Sequence, residues 1–149
     1  MALGVPSKIG SVTALFTTVH LALAAAWAGA MGYSLLVVQP KAERYFTRDD
    51  DYEDFLLVMA HGNRWKVVPL IAALLVTAAL ARLFYLLPVY VVAAGIFANV
   101  SWRHWPARVF ALPAERPAFR RALRAQAWAM TVLAGGAFLT GLAATSGLI

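Results

Sequence analysis

The stretch Met59-Ala-His-Gly-Asn-Arg-Trp-Lys66 decides how this chain is interpreted, because it sets polar side chains beside a long apolar run. Nitrogen-bearing side chains follow one another here from His61 to Lys66, with a single glycine among them. Residues 67–81 are apolar except for Pro69 and Thr77. A polar group in apolar surroundings is costly unless it is paired. We therefore interpret the stretch as a polar cluster near one face of a membrane.

The composition predicts a membrane protein. Of the 149 residues, 62% are hydrophobic and 13% are charged, whereas soluble domains contain about 25% charged residues. We predict an all-α fold, a four-helix transmembrane bundle that forms a single integral membrane domain over residues 1–149. The helices are expected at about 12–39, 54–82, 88–105 and 122–145, lengths that suit a bilayer. The chain has no cysteine, which excludes disulfides and thiolate metal sites.

The distribution of basic residues predicts the orientation. All of the 13 Lys and Arg residues except Lys8 and Arg82 lie in, or next to, the first and third connections. Because cytoplasmic segments are enriched in Lys and Arg, we expect an up-down-up-down bundle with both termini on the non-cytoplasmic side of the inner or plasma membrane. The net charge of +6 is then explained by lipid headgroups, and no nucleic-acid partner is predicted.

Alternating helices bring three groups of polar residues to one depth, on the cytoplasmic side. The groups open the second helix, close the third and begin the fourth. We predict that they converge on a pocket for a flat hydrophobic molecule such as a quinone or a phenol. His61 is the expected acid/base group, Asn99 an orienting hydrogen-bond partner, and Arg64 a stabiliser of phenolate or enolate charge. The expected lining residues are Trp65, Trp102, Arg103, Gln126 and Trp27.

Several of these residues also have a simpler interpretation. Arg and Lys at helix ends commonly reach lipid headgroups, and Trp commonly lies at the membrane interface. For Arg64, Lys66, Arg103, Trp105 and Arg108, this placement is the favoured one. His61 and Asn99 are equally compatible with function and with structural packing.

His20 lies within the first predicted helix, on roughly the same face as Trp27. The rise of about 1.5 Å per residue puts His20 too far from His61 for the two to share a haem iron. No cofactor and no metal ligand are predicted, although a single-histidine haem site, or a copper site with Met31, stays an open alternative.

Two parts of the chain resemble a known family. The first runs from Ala24-Ala25-Ala26-Trp27-Ala28-Gly29 to Val37-Val38-Gln39-Pro40-Lys41, and the second comprises Phe97-Ala98-Asn99-Val100 and residues 119–128. These stretches resemble the anthrone-oxygenase-like family of small four-helix bacterial membrane proteins; copper-resistance-D-like proteins are the second resemblance. The first family implies an oxidoreductase-like function, since some members oxygenate aromatic polyketides without a bound metal.

The resemblance assigns Asn99 to the family's Asn at the end of the third helix. Where the family often has an Asn and an Arg early in the fourth helix, this chain has Arg124 and Gln126 nearby, so the Asn is not matched. A non-catalytic accessory role, in a homo-oligomer or a larger membrane complex, is the alternative. The small residues Ala25, Gly29 and Gly32 would then allow a second helix to approach closely.

Overall fold

The computed structural model describes residues 8–148 and is helical apart from short connections. The ends of the predicted domain, residues 1–7 and 149, lie outside the described residues. The first helical segment comprises α1 (Lys8–Tyr33), a π-helical turn (Ser34–Val38) and α2 (Gln39–Tyr45). The second comprises α3 (Asp49–Ala60) and α4 (Asn63–Leu80). The third comprises a 3₁₀ turn (Phe84–Leu86), α5 (Leu87–Asn99), a π-helical turn (Val100–His104) and α6 (Trp105–Val109), and the fourth is α7 (Arg116–Thr145).

Four helical stretches are long and apolar enough to cross a membrane: Gly10–Tyr45, Asn63–Leu80, Phe84–Val109 and Arg116–Thr145. The prediction of four apolar helices is thus confirmed. The bundle is held by contacts of α1 with α4 and α7, and of α5 with the same two helices. Alanines such as Ala24, Ala78 and Ala134 are buried in its core, which lets the helices approach closely.

The predicted second helix, 54–82, is wrong in its continuity and its start. It begins earlier, at Asp49, with three aspartates in its first turn, where the helix dipole stabilises negative charge. It is then broken between Ala60 and Asn63, because His61 is extended and Gly62 has a left-handed φ of 69°. Pro69 lies inside α4, so the helix continues through this proline.

The predicted ends of the other helices are displaced as well. The first and third helices were expected to end at about 39 and 105, next to Pro40 and Pro106, but the chain stays helical to Tyr45 and to Val109. Each proline lies two residues after the end of a π-helical turn. Since proline lacks an N–H and its ring crowds the carbonyl four residues earlier, a wider turn lets the helix continue. The fourth helix starts at Arg116 rather than near 122, with Pro117 in its first turn.

Close helix approach occurs at a glycine of the last helix, but not at the glycines predicted in the first helix. A methyl group at Gly141 would come within 3.2 Å of a Leu21 methyl carbon, so this glycine lies at a tight contact. Gly29 and Gly32 have open space at that position among the described residues.

A layer of ion pairs joins the start of α3 to α6 and α7. Arg116 Nη1 lies 2.7 Å from Asp50 Oδ1, and Arg120 Nη1 lies 3.2 Å from Asp49 Oδ1. The only buried pair in residues 8–148 is Arg108 with Glu53, in which Arg108 Nε donates to Glu53 Oε2 at 3.0 Å. Arg108 was expected to reach lipid headgroups, and this expectation is wrong because its charge is neutralised inside the protein.

Replacing Glu53 with Gln leaves the Arg108 guanidinium buried without its counter-charge. We expect a loss of roughly 3–5 kcal/mol in the free energy of unfolding, measured by denaturant titration in detergent micelles. Asp50→Asn, which removes an exposed carboxylate from the same layer, is the matched control and should leave stability unchanged. Equal stabilities of the two variants would contradict the placement of Glu53 and Arg108.

Replacing Gly62 with Ala should lower the free energy of unfolding by about 1–2 kcal/mol, because an L side chain disfavours left-handed φ. Its methyl group would meet open space, so the cost is one of backbone conformation alone. Gly95 also faces open space but lies within α5, and Gly95→Ala should raise stability by about 0.5–1 kcal/mol. Opposite signs are the expected result of thermal unfolding measurements, and a neutral Gly62→Ala would contradict the helix break.

Candidate functional site

The main candidate site is a cavity of about 510 Å³ between the end of α1, the α3–α4 break and the end of α5. Its walls are mostly apolar and aromatic, including Trp27, Met31, Phe97 and Met130. Polar side chains also line it: His61, Asn63 and Arg64 at the α3–α4 break, and Ser101 after α5. An apolar chamber with a few polar groups is typical of sites for small hydrophobic ligands.

Two irregularities of the backbone shape this cavity. Gly62, at the α3–α4 break, lines it, and so do Val100 and Ser101 from the π-helical turn that precedes Pro106. Regular helices would pack side by side along their whole length. Because the chain departs from a regular helix at two facing places, space is left between the segments, and π-helical turns are frequent at functional sites.

Four of the eight predicted site residues line the cavity. Trp27 is buried and forms part of its inner wall, whereas His61, Arg64 and Trp65 are exposed and lie at its rim. The Arg64 guanidinium carbon lies 6.0 Å from the centre of the Trp65 ring, a distance at which a cation and an aromatic face attract. The rim therefore presents hydrogen-bond donors beside an aromatic surface.

The other four predicted residues lie elsewhere. Asn99 Nδ2 donates to Gln126 Oε1 at 2.9 Å, so the two amides satisfy each other outside the cavity lining. Trp102 is half exposed and packs edge-on against Phe97, with 6.0 Å between ring centres. Arg103 is exposed. The expectation that all eight residues converge on one pocket is thus corrected. Asn99 and Gln126 pair with each other and do not line the cavity.

A second polar cluster, which sequence analysis missed, lies in the bundle interior. His20 is completely buried, and its two ring nitrogens lie 3.0 Å from Thr77 Oγ1 and 3.0 Å from the Tyr90 hydroxyl. These residues come from α1, α4 and α5. The sequence does contain an indication of this cluster. Thr77 interrupts the apolar run 67–81, and Tyr90 brings a hydroxyl group into the apolar helix α5. Polar groups inside apolar spans usually pair with one another.

The directions of these hydrogen bonds follow from counting hydrogens. Thr77 has one hydroxyl hydrogen and donates it to the Ala73 carbonyl at 2.6 Å. Thr77 Oγ1 therefore accepts from His20 Nδ1–H, and His20 Nε2 keeps a free lone pair that accepts from the Tyr90 hydroxyl. We assign the tautomer from this pattern. A neutral imidazole satisfies every donor in the chain of hydrogen bonds.

The hydrogen bonds of His20 also decide whether this residue could bind a haem iron or a copper ion. A ring nitrogen that ligates a metal must offer it a lone pair, and in this arrangement both His20 nitrogens are engaged by Thr77 and Tyr90. Within residues 8–148, no three His, Cys, Asp or Glu side chains come together as a metal site. The residues around His20 therefore do not fit a haem or a copper ion.

A smaller chamber of about 130 Å³ lies next to the main cavity and shares Val100, Trp105 and Met130 with it. Its other side reaches Tyr52 and the ion-pair layer. Burial raises the pKa of the Tyr52 phenol, which keeps it a neutral hydrogen-bond donor. The hydrogen bond from Arg120 lowers the pKa of the Asp49 carboxyl, so this carboxylate stays charged.

No family model, curated protein or solved structure matches the chain. The resemblance to the anthrone-oxygenase-like family therefore stays a prediction made from short stretches of sequence.

Proposed function

We propose that this protein is a multi-pass membrane protein that binds a flat, hydrophobic, aromatic or quinone-like molecule in the cavity lined by Trp27 and His61. The observation that carries the proposal is the cavity itself, with about 510 Å³ of space. This volume lies within the range of about 300–1,000 Å³ that is usual for small-molecule sites.

The distribution of polar groups favours a ligand with polar atoms at one edge. Trp27, Phe97 and the methionines would bury the apolar rings. His61, Arg64 and Ser101 would be available to the carbonyl or hydroxyl oxygens of a quinone or a phenol. Arg64 offers donors only, whereas His61 offers one donor and one acceptor when neutral. This set therefore suits a ligand that accepts hydrogen bonds at its edge.

The orientation belongs to the same proposal. The excess of Lys and Arg around the first and third connections favours a cytoplasmic position for the His61 end of the bundle. Both termini would then lie on the opposite side of a cell membrane, and the four spans would alternate in direction. A hydrophobic ligand could reach the cavity from the bilayer, in which such molecules dissolve.

Chemistry in this cavity would fall to His61 and Arg64. His61 would exchange a proton with a phenol or an enol, and Arg64 would stabilise the resulting negative charge. Asn99, once expected to orient the substrate, is paired with Gln126 and leaves that role to cavity residues such as Ser101. Binding without turnover would fit a carrier or sensor, and absence of binding would favour the accessory-subunit alternative.

Filling the cavity should weaken binding. Val67 lines the cavity and Val76, on the same helix, is exposed outside it. Val67→Phe is expected to weaken the binding of menadione, a naphthoquinone, by about tenfold or more, a change of 1.4 kcal/mol, while Val76→Phe leaves it unchanged. Binding is measured by quenching of tryptophan fluorescence in lipid nanodiscs.

Two results would contradict the proposal. One is the lack of saturable quenching in the unmodified protein. The other is equal affinity of the Val67→Phe and Val76→Phe proteins for menadione. Trp128, an exposed tryptophan outside the cavity lining, supplies a further control. Trp128→Phe should preserve saturable quenching, whereas replacing the three cavity tryptophans Trp27, Trp65 and Trp105 together by Phe should remove most of it.

A further inference from the structure

The buried polar cluster and the cavity are joined through one aromatic contact. Trp27, which forms part of the inner cavity wall, stacks on Tyr90 with 6.4 Å between ring centres and 29° between ring planes. The Tyr90 hydroxyl in turn donates to His20 Nε2 at 3.0 Å. His20 and Trp27 lie about two turns apart along α1, so Tyr90 reaches both from the neighbouring α5.

We propose that Tyr90 and His20 are positioning residues that hold the Trp27 indole as a fixed wall of the ligand cavity. This inference rests on the proposed function and assigns its aromatic wall to a chain of hydrogen bonds. The chain runs from Tyr90 to His20, from His20 to Thr77, and ends on the Ala73 carbonyl of α4. It is therefore anchored in backbone and not only in other side chains.

Each link of this chain restricts the next one. Tyr90 has 1% of its surface exposed and lies edge-on to the His20 ring, with 5.4 Å between ring centres. The hydroxyl bond to His20 fixes the rotamer of the Tyr90 side chain, because a change of rotamer would break this bond in apolar surroundings that offer little to replace it. The plane of the buried ring is held by its edge-on contact with His20. Because Trp27 stacks on Tyr90, the orientation of the phenol limits the orientation of the indole.

A fixed aromatic wall matters for a flat ligand. A binding site loses less conformational entropy when its side chains are already ordered before the ligand arrives. The face of Trp27 would therefore be presented to a quinone ring without a prior change of rotamer. Releasing the Tyr90 hydroxyl should weaken binding although Tyr90 is not among the residues that line the cavity.

The test uses the full chain with Trp65, Trp102, Trp105 and Trp128 replaced by Phe, so that Trp27 alone reports. In this protein, Tyr90→Phe should lower the residual fluorescence anisotropy of Trp27 without ligand, and should weaken menadione binding about threefold to tenfold, the range expected for one lost hydrogen bond. The control is Tyr85→Phe, which removes a half-exposed hydroxyl nearby and should change neither quantity.

Two substitutions at His20 distinguish a positioning role from a role in packing alone. A Gln at position 20 offers an amide oxygen that accepts from Tyr90 and an N–H that donates to Thr77, whereas Leu offers neither. His20→Gln should therefore stay near the unmodified protein in anisotropy and affinity, and His20→Leu should resemble Tyr90→Phe. Thr77→Ser and Thr77→Val form a second such pair, which serves if Tyr90→Phe or His20→Leu fails to fold.

Unchanged anisotropy and unchanged menadione affinity in folded Tyr90→Phe would overturn the inference. So would equal behaviour of the Gln and Leu variants at position 20. Failure of the proposed function has a different signature, because the single-tryptophan protein would then show no saturable quenching. The ligand-free anisotropy would still report whether Tyr90 fixes Trp27.

Discussion

The structure depends on the pairing of polar groups inside an apolar bundle. His20, Thr77 and Tyr90 come from three helices, and each is buried. In an apolar interior an unsatisfied donor or acceptor is costly, so these helices are stabilised in the arrangement that connects the three side chains. The same rule explains the Asn99–Gln126 pair and the burial of Arg108 against Glu53. Among the residues that line the cavity, the polar side chains available to a ligand include His61, Asn63, Arg64 and Ser101.

The layer of ion pairs lies at one end of the bundle. At one end of α7, arginines meet the carboxylates at the end of α2 and the start of α3, and the layer brings the first and third connections together. Exposed pairs of this kind contribute little one by one, and the Arg108–Glu53 pair carries the larger energetic consequence because it is buried. The cavity lies between this layer and the His20 cluster, where neither ion pairs nor close alanine packing fill the space.

Sequence analysis predicted the features that depend on composition and helical spacing. Four apolar helices follow from hydrophobic content, and the placement of His61, Arg64 and Trp65 around one space follows from their position at a helix start. The bonds of His20 could not be predicted in this way, because they join residues 57 and 70 positions apart. The π-helical turns before Pro40 and Pro106 were missed because proline was taken as a stop signal. The partner of Asn99 depended on the rotation of α7, which no local pattern determines.

The central claim is that His20 is a neutral link between Tyr90 and Thr77. Nitrogen-15 solid-state NMR of the imidazole in lipid bilayers tests it most directly, with His61 and His104 replaced by Gln so that His20 alone is observed. The account predicts one protonated nitrogen, Nδ1, and one bare nitrogen, Nε2, that accepts a hydrogen bond. A ring protonated at Nε2 alone, or at both nitrogens at neutral pH, would contradict it.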